Sequence, residues 1–234
     1  MGKGKGSYYF QGNNNLGVLV CHGLTGAPDE MRELGKYLNN LGYTVACPQY
    51  RGHGMDSDNF SFTSIDMWFE DIEKAFLDLS SKVNGIYVIG LSMGGAFTVR
   101  IAEDYDILGL VTMNAPLIGL PIKERFDKME KEITNVNNLE KAKKALSKYN
   151  KFVIETGQVN NLSKIIAPLL IIQSELDIDR YKISSSMLTE YTSSKYISRL
   201  DFKKSGHVLV LGDERYEVYE SIGNFLSKKE KVSF

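Results

Sequence analysis

Ser92 lies in Gly90-Leu91-Ser92-Met93-Gly94, a hydroxyl between glycines where a β-branched run, Ile86-Tyr87-Val88-Ile89, meets a helical pattern from Ala96 to Tyr105. That order reads as strand, sharp turn, helix, with Gly90 and Gly94 leaving room for a strained serine backbone. A serine at a helix N-terminus also has free N–H groups and a positive dipole end beneath it, where an oxyanion would form. A lone hydroxyl is a weak nucleophile at neutral pH, so attack on an acyl carbonyl requires an imidazole within hydrogen-bond reach. The chain has three histidines. His207, in Ser205-Gly206-His207 after the last predicted strand, is the strongest base candidate. His22 and His53 each sit beside glycine in loops at strand ends and are read as structural, since a working triad needs one base. Glu175, Asp177 and Asp179 all follow a strand ending near Gln173, and each is a candidate to orient the base.

The elements that must position these groups alternate between two periods. Tyr8 to Phe10 and Leu16 to Cys21 are predicted strands separated by Gly12-Asn13-Asn14-Asn15, whose turn chemistry predicts an antiparallel hairpin. The apolar Leu16–Cys21 run suits a strand covered on both faces. Pro28 opens a helix with Met31, Leu34, Tyr37, Leu38 and Leu41 on one stripe, and Tyr43 to Cys47 returns as a strand. Gln49 to Phe62 is a loop carrying Arg51-Gly52-His53-Gly54, followed by a helix from about Thr63 to Lys82. Leu108 to Met113 is a further strand ending at Asn114-Ala115-Pro116. Between 116 and 163 the alternation is interrupted by two amphipathic helices. Their stripes are Ile122, Phe126, Met129, Ile133 and then Leu139, Ala142, Leu146, Tyr149, Val153, with Asn135 to Asn138 as the break. Leu169 to Ile172 and Tyr196 to Asp201 resume the strands, and Glu214 to Leu226 closes the chain as a helix with Tyr216, Tyr219, Ile222 and Leu226 inward. The fold expected is α/β: one doubly wound, mostly parallel sheet with a two-helix insertion. It forms a single domain over residues 7–234, and 1–6 are a disordered lead or an expression scar.

Composition narrows the function classes. With 234 residues, 43% of them hydrophobic, the chain can bury a full core. Its 28 basic and 29 acidic residues nearly cancel without long blocks of one sign, which argues against a nucleic-acid partner. No apolar run approaches the roughly 20 residues that span a bilayer, and the N-terminus lacks the apolar core of a signal peptide, so a cytoplasmic protein is expected. Cys21 and Cys47 are read as reduced and buried. No metal-ligand cluster and no phosphate-binding glycine motif occurs, and no cofactor is expected.

Four ordered motifs together resemble the α/β-hydrolase fold, and more narrowly the small carboxylesterases related to monoacylglycerol lipases. They are His22-Gly23-Leu24-Thr25-Gly26, Arg51-Gly52-His53-Gly54, Gly90-Leu91-Ser92-Met93-Gly94-Gly95 and Ser205-Gly206-His207. The resemblance covers about Tyr8 to Leu226 and implies Ser92 as nucleophile, His207 as base and an acid after the Leu169–Ile172 strand. The family pattern favours Asp177, although Ile178-Asp179-Arg180-Tyr181-Lys182 departs from the apolar residues and proline that usually follow. It also implies an oxyanion hole from the backbone N–H groups of Met93 and Leu24, and a lid made by the two inserted helices. The expected activity is hydrolysis of small to medium uncharged esters through an acyl-enzyme. Monoacylglycerol lipase, thioesterase and acyl transferase activities are alternatives on the same triad, and a ligand-binding protein without turnover is the alternative of another class. The inserted helices have a second reading as a homodimer contact. Because the insertion adds no strand, the sheet is expected to survive its removal.

Overall fold

A computed structural model describes residues 6–54, 63–119, 121–132 and 135–230. The start of the predicted lead, part of the loop before Thr63, and Ile133 lie outside the described residues. Seven strands form one sheet in the order β1-β3-β2-β4-β5-β6-β7. They are β1 Tyr8–Phe10, β2 Gly17–Cys21, β3 Thr44–Cys47, β4 Ile86–Leu91, β5 Gly109–Met113, β6 Leu169–Ser174 and β7 Ile197–Phe202. All neighbouring pairs are parallel except β1 with β3. The helices are α1 Arg32–Asn40, α2 Ile65–Ser80, α3 Met93–Asp104, α4 Ile122–Glu132, α5 Val136–Thr156, α6 Val159–Leu162, α7 Asp179–Tyr191 and α8 Arg215–Glu230.

The parallel order follows from residue type. Every residue of β2, β4, β5 and β6 is buried, as required of strands covered on both faces. On one face α2, α3 and α5 pack Trp68, Ile72, Phe97, Val99, Tyr149 and Val153 onto Leu19, Val88 and Leu110. On the other, α1 and α8 bring Leu34, Leu38, Val218, Tyr219 and Ile222 against Val18, Ile89, Val111 and Ile172. Each fully buried large apolar side chain contributes about 1.5–3 kcal/mol. The edges are kept short or charged: β1 has three residues, and β7 presents an Arg199–Asp201 ion pair on an exposed surface.

Four expectations are corrected. β1 does not form a hairpin with β2; it pairs with β3, Tyr8 opposite Cys47, because both edges of β2 are occupied by β3 and β4. Among the described residues the insertion holds three helices rather than two, and residues 136–138 of the predicted break are helical instead: α5 starts at Val136, with Asn135 as its cap accepting from the Asn138 N–H. Tyr216 points outward, 67% exposed, and Val218 takes the inward position on α8. The insertion is also not an appendage: Tyr149, Val153 and Leu162 belong to the core, and Phe152 meets Phe97 and Phe69 at 5.3 and 5.5 Å. Its removal would strip that face of α3. Helix α7 has no counterpart in the predicted elements.

Glu103 on α3 has a fully covered side chain. One oxygen accepts from Arg100 at 3.0 Å, while Oε1 has no hydrogen-bond partner among the described residues. Burial, only partly offset by Arg100, raises its pKa to about 8. The folded state therefore keeps a proton that the unfolded chain releases above the ordinary carboxylate value of 4.5, so this residue costs stability increasingly as pH rises from 4.5 to about 8. Glu103→Gln is expected to raise the urea midpoint relative to wild type at pH 8 and to change it little at pH 4.5. An equal difference at both pH values would refute this.

Candidate active site

The strand order reverses direction at β2 and β4, with β3 on one side and β5 on the other. In an open parallel sheet this leaves a crevice at the C-terminal strand ends, the usual ligand position. Two loops enter it: Gly23 follows β2, and Ser92 follows β4. A Cβ on Gly23 would stand 3.5 Å from the Ser92 Cβ.

Ser92 is held with φ 54° and ψ −124°, a conformation that costs a non-glycine residue about 1–3 kcal/mol. Its neighbours explain how the turn is tolerated. A Cβ on Gly90 would lie 2.2 Å from the Gly94 carbonyl oxygen, and one on Gly94 would lie 2.2 Å from that of Cys21. Both positions therefore require glycine for close backbone approach. The Ser92 N–H donates to the Met113 carbonyl at 2.8 Å, tying the turn to β5.

The His207 ring spans two partners. Nδ1 lies 2.5 Å from Asp177 Oδ2, and Nε2 lies 2.8 Å from Ser92 Oγ. An ionised carboxylate only accepts, so Nδ1 carries the proton and Nε2 is left to accept from the serine hydroxyl. Asp177 is 6% exposed at its side chain, and its Oδ1 accepts from the Ile178 N–H at 2.9 Å. The other two acids face away. Glu175 approaches Lys203 at 3.9 Å, and Asp179, 91% exposed, opens α7 beside Lys182. Tyr181 packs its ring 4.6 Å from that of His207 and covers one side of the imidazole.

His22 and His53 have no hydrogen bond to Ser92. The His22 ring is stacked 3.8 Å from Tyr50 and approaches the T-shaped His53 at 5.3 Å, while His53 lies edge-on to Trp68. His22 Nδ1 donates to the Gly23 carbonyl at 3.0 Å, and Tyr50 donates to the His22 carbonyl. Burial lowers the His22 pKa to about 3 and that of His53 to about 4, so both are neutral packing groups under the loop. That loop turns by a Gly26 N–H to Gly23 O bond and by Thr25 at φ 62°. Leu24 is 36% exposed, so it is partly open to solvent. Met93 is the first residue of α3, where an N–H has no acceptor within the helix.

Ser92, His207 and Asp177 are thus brought together, with Leu24 on the loop after β2 and Met93 at the start of α3, next to the serine in the chain. Sequence reasoning did not find Tyr50 or Tyr181 at the site. Tyr50 directly precedes the Arg51-Gly52-His53-Gly54 motif, which was a signal available for it. Among the described residues there is no group of three or more His, Cys, Asp or Glu side chains suited to a metal ion.

A doubly wound parallel sheet with a serine on the strand-to-helix turn and a histidine–aspartate pair reaching it defines an α/β-hydrolase. Residues 12–164 match the family described as serine aminopeptidase, S33, and the chain belongs to that family. It is 27% identical over 239 residues to a carboxylesterase of Bacillus subtilis, covering 94% of this chain and 96% of the relative. It is 28% identical over 236 residues to a thermostable monoacylglycerol lipase of Bacillus sp. strain H-257, covering 94% of each. Among solved structures, one described under LipS and LipT, two metagenome-derived lipolytic enzymes, superposes with a TM-score of 0.84 at 25% identity over 97% of this chain and 99% of the other. The monoacylglycerol lipase of Paleococcus ferrophilus shares the fold, with a TM-score of 0.76 at 18% identity over 95% and 98%.

Proposed function

We propose that the chain is a serine carboxylesterase that hydrolyses small to medium uncharged esters, with a monoacylglycerol-lipase-like preference as its nearest variant. The observation that carries this is the relay from Asp177 through His207 to Ser92, 2.5 and 2.8 Å long, in a crevice flanked by two loops with backbone donors. Full-length similarity to a carboxylesterase and a monoacylglycerol lipase favours esters over the peptides suggested by the family description.

In this reading the Ser92 oxygen bonds to the acyl carbon as its proton passes to His207 Nε2. The carbonyl oxygen becomes an oxyanion facing the N–H groups of Met93 and Leu24. The C–O bond to the alcohol then breaks, and His207 returns the proton to the departing alkoxide. Water, deprotonated by the same nitrogen, releases the acid and regenerates Ser92. Asp177 stays ionised and stabilises the imidazolium. No cofactor enters these steps. The inserted helices are assigned the part of a lid over the crevice, with α5 anchored to the core by Phe152 against Phe97 of α3. The free, buried thiols of Cys21 and Cys47 fit the cytoplasmic location expected. Among the described residues no helix is long and apolar enough to cross a membrane.

The test is a fluorophosphonate probe combined with a substrate panel. The probe is expected to attach to Ser92 and to abolish turnover of p-nitrophenyl acyl esters in proportion to labelling. Esters should be cleaved faster than acyl thioesters and far faster than aminoacyl p-nitroanilides. Absence of labelling would favour a binding protein, and faster anilide cleavage would favour a peptidase.

A further inference from the structure

Asn114 directly follows β5 and is one of four non-glycine residues with positive φ among the described residues, at 48°; it is 1% exposed. Its backbone N–H donates to the Ile172 carbonyl of β6 at 3.1 Å. Its side-chain amide makes two further bonds of opposite kind: Oδ1 accepts from the Ser174 N–H at 2.8 Å, and Nδ2 donates to the His207 carbonyl at 2.8 Å. Ser174 carries the connection onward. Its hydroxyl donates to the Ser205 carbonyl at 2.5 Å and accepts from the Leu176 N–H at 3.1 Å, next to Asp177. The base loop is braced at its far side by Glu214, which accepts from the N–H groups of Lys204 and Ser205. The residue before Asn114, Met113, receives the Ser92 N–H.

One buried amide therefore joins the end of β6, from which the Asp177 loop departs, to the loop that carries His207, and it does so directly after Met113, which holds the Ser92 turn. We propose that Asn114 is a positioning residue for the triad, setting the separation of the acid and base loops so that the imidazole reaches both partners. It touches none of the reacting atoms and acts through His207. The position needs an amide: a donor is required toward His207 and an acceptor toward Ser174, in a backbone conformation that asparagine tolerates better than larger side chains. This inference rests on the triad reading given above. The two fail separately: if Ser92→Ala retains turnover, that reading falls, whereas an inert Ser92→Ala beside an unaffected Asn114 variant removes only the positioning role.

The experiment is a double-mutant cycle on the full chain, with kcat and KM measured for a p-nitrophenyl ester and folding checked by circular dichroism. Asn114→Asp keeps the shape and the Ser174 acceptor and, when ionised, places an acceptor against the His207 carbonyl. It is expected to lower kcat on the order of 10²-fold, with KM within about three-fold, because displacement of a catalytic group by about 1 Å costs that much. In a His207→Ala background the same substitution should change kcat less than about two-fold, since residues that act as a unit are not additive. A similar loss in both backgrounds, or wild-type kcat in the single variant, overturns the proposal. If Asn114→Asp does not fold, Ser174→Ala decides: it leaves Asn114 whole, cuts the link to Ser205 and Leu176, and should lower kcat several-fold only when His207 is present. Loss in both backgrounds, or none, overturns it there too.

Discussion

Asp177→Asn is expected to lower kcat by about 10⁴-fold in a protein that still folds, because the substitution reverses the direction of the relay. Asp177 accepts at both oxygens, from the Ile178 N–H and from His207 Nδ1. An amide in the same place satisfies Ile178 with its oxygen and turns its NH₂ toward Nδ1. The imidazole must then carry its proton on Nε2, where it faces Ser92 Oγ at 2.8 Å and can no longer accept. Asp179→Asn supplies the contrast, since that carboxylate is exposed and pairs with Lys182 at 3.5 Å. An exposed pair is worth at most about 1 kcal/mol and has no path to the imidazole, so kcat should stay within about two-fold. Near-normal turnover in folded Asp177→Asn beside collapse in Asp179→Asn would move the acid to Asp179.

Ser92→Ala is expected to lower kcat by at least about 10³-fold, leaving the residual rate that an oxyanion hole and binding sustain without a nucleophile. The same variant should be no less stable than wild type by more than the preference of alanine over serine for this strained turn. Alanine keeps the Ser92 Cβ and removes only the hydroxyl bonded to His207, while the turn is held by the backbone contacts of Gly90 and Gly94 and by the bond to Met113. Stopped-time assays with p-nitrophenyl acetate and thermal melts on the same preparations separate the two effects. Wild-type-like hydrolysis would eliminate the acyl-enzyme mechanism.

How much of this was legible in the chain depends on where each group finds its partner. The Ser92 turn was readable because its requirements are local: strand, glycines where backbone must approach, then a helix. His207 was readable by scarcity, with only three histidines in the chain. Asp177 was not separable from Glu175 and Asp179 on residue type, because its selection depends on a loop 30 residues away in sequence. Helix α7 escaped the pattern because two of its inward residues are serines. Ser184 accepts from the Leu117 N–H and Ser185 donates to Gln173 Oε1, so polar side chains occupy buried positions that periodicity reserves for apolar ones. The partner of β1 was misread for a related reason: turn chemistry at Gly12 to Asn15 predicts a reversal, but the edge that receives the strand belongs to β3.

The inserted segment also departs from and returns to one neck, at Leu117 and Gly157. A Cβ on Gly157 would lie 2.0 Å from the Leu117 carbonyl oxygen, so the two stems of the excursion are in backbone contact. Such a junction defines a cassette boundary. Residues 118–156 could be exchanged for the corresponding stretch of another family member without altering the distance the framework must bridge, provided Gly157 is kept. The graft must also bring side chains that fill the places of Tyr149 and Val153 against α3. Chimeras joined at this neck would test whether the inserted segment, proposed above as a lid, contributes to acyl-chain choice.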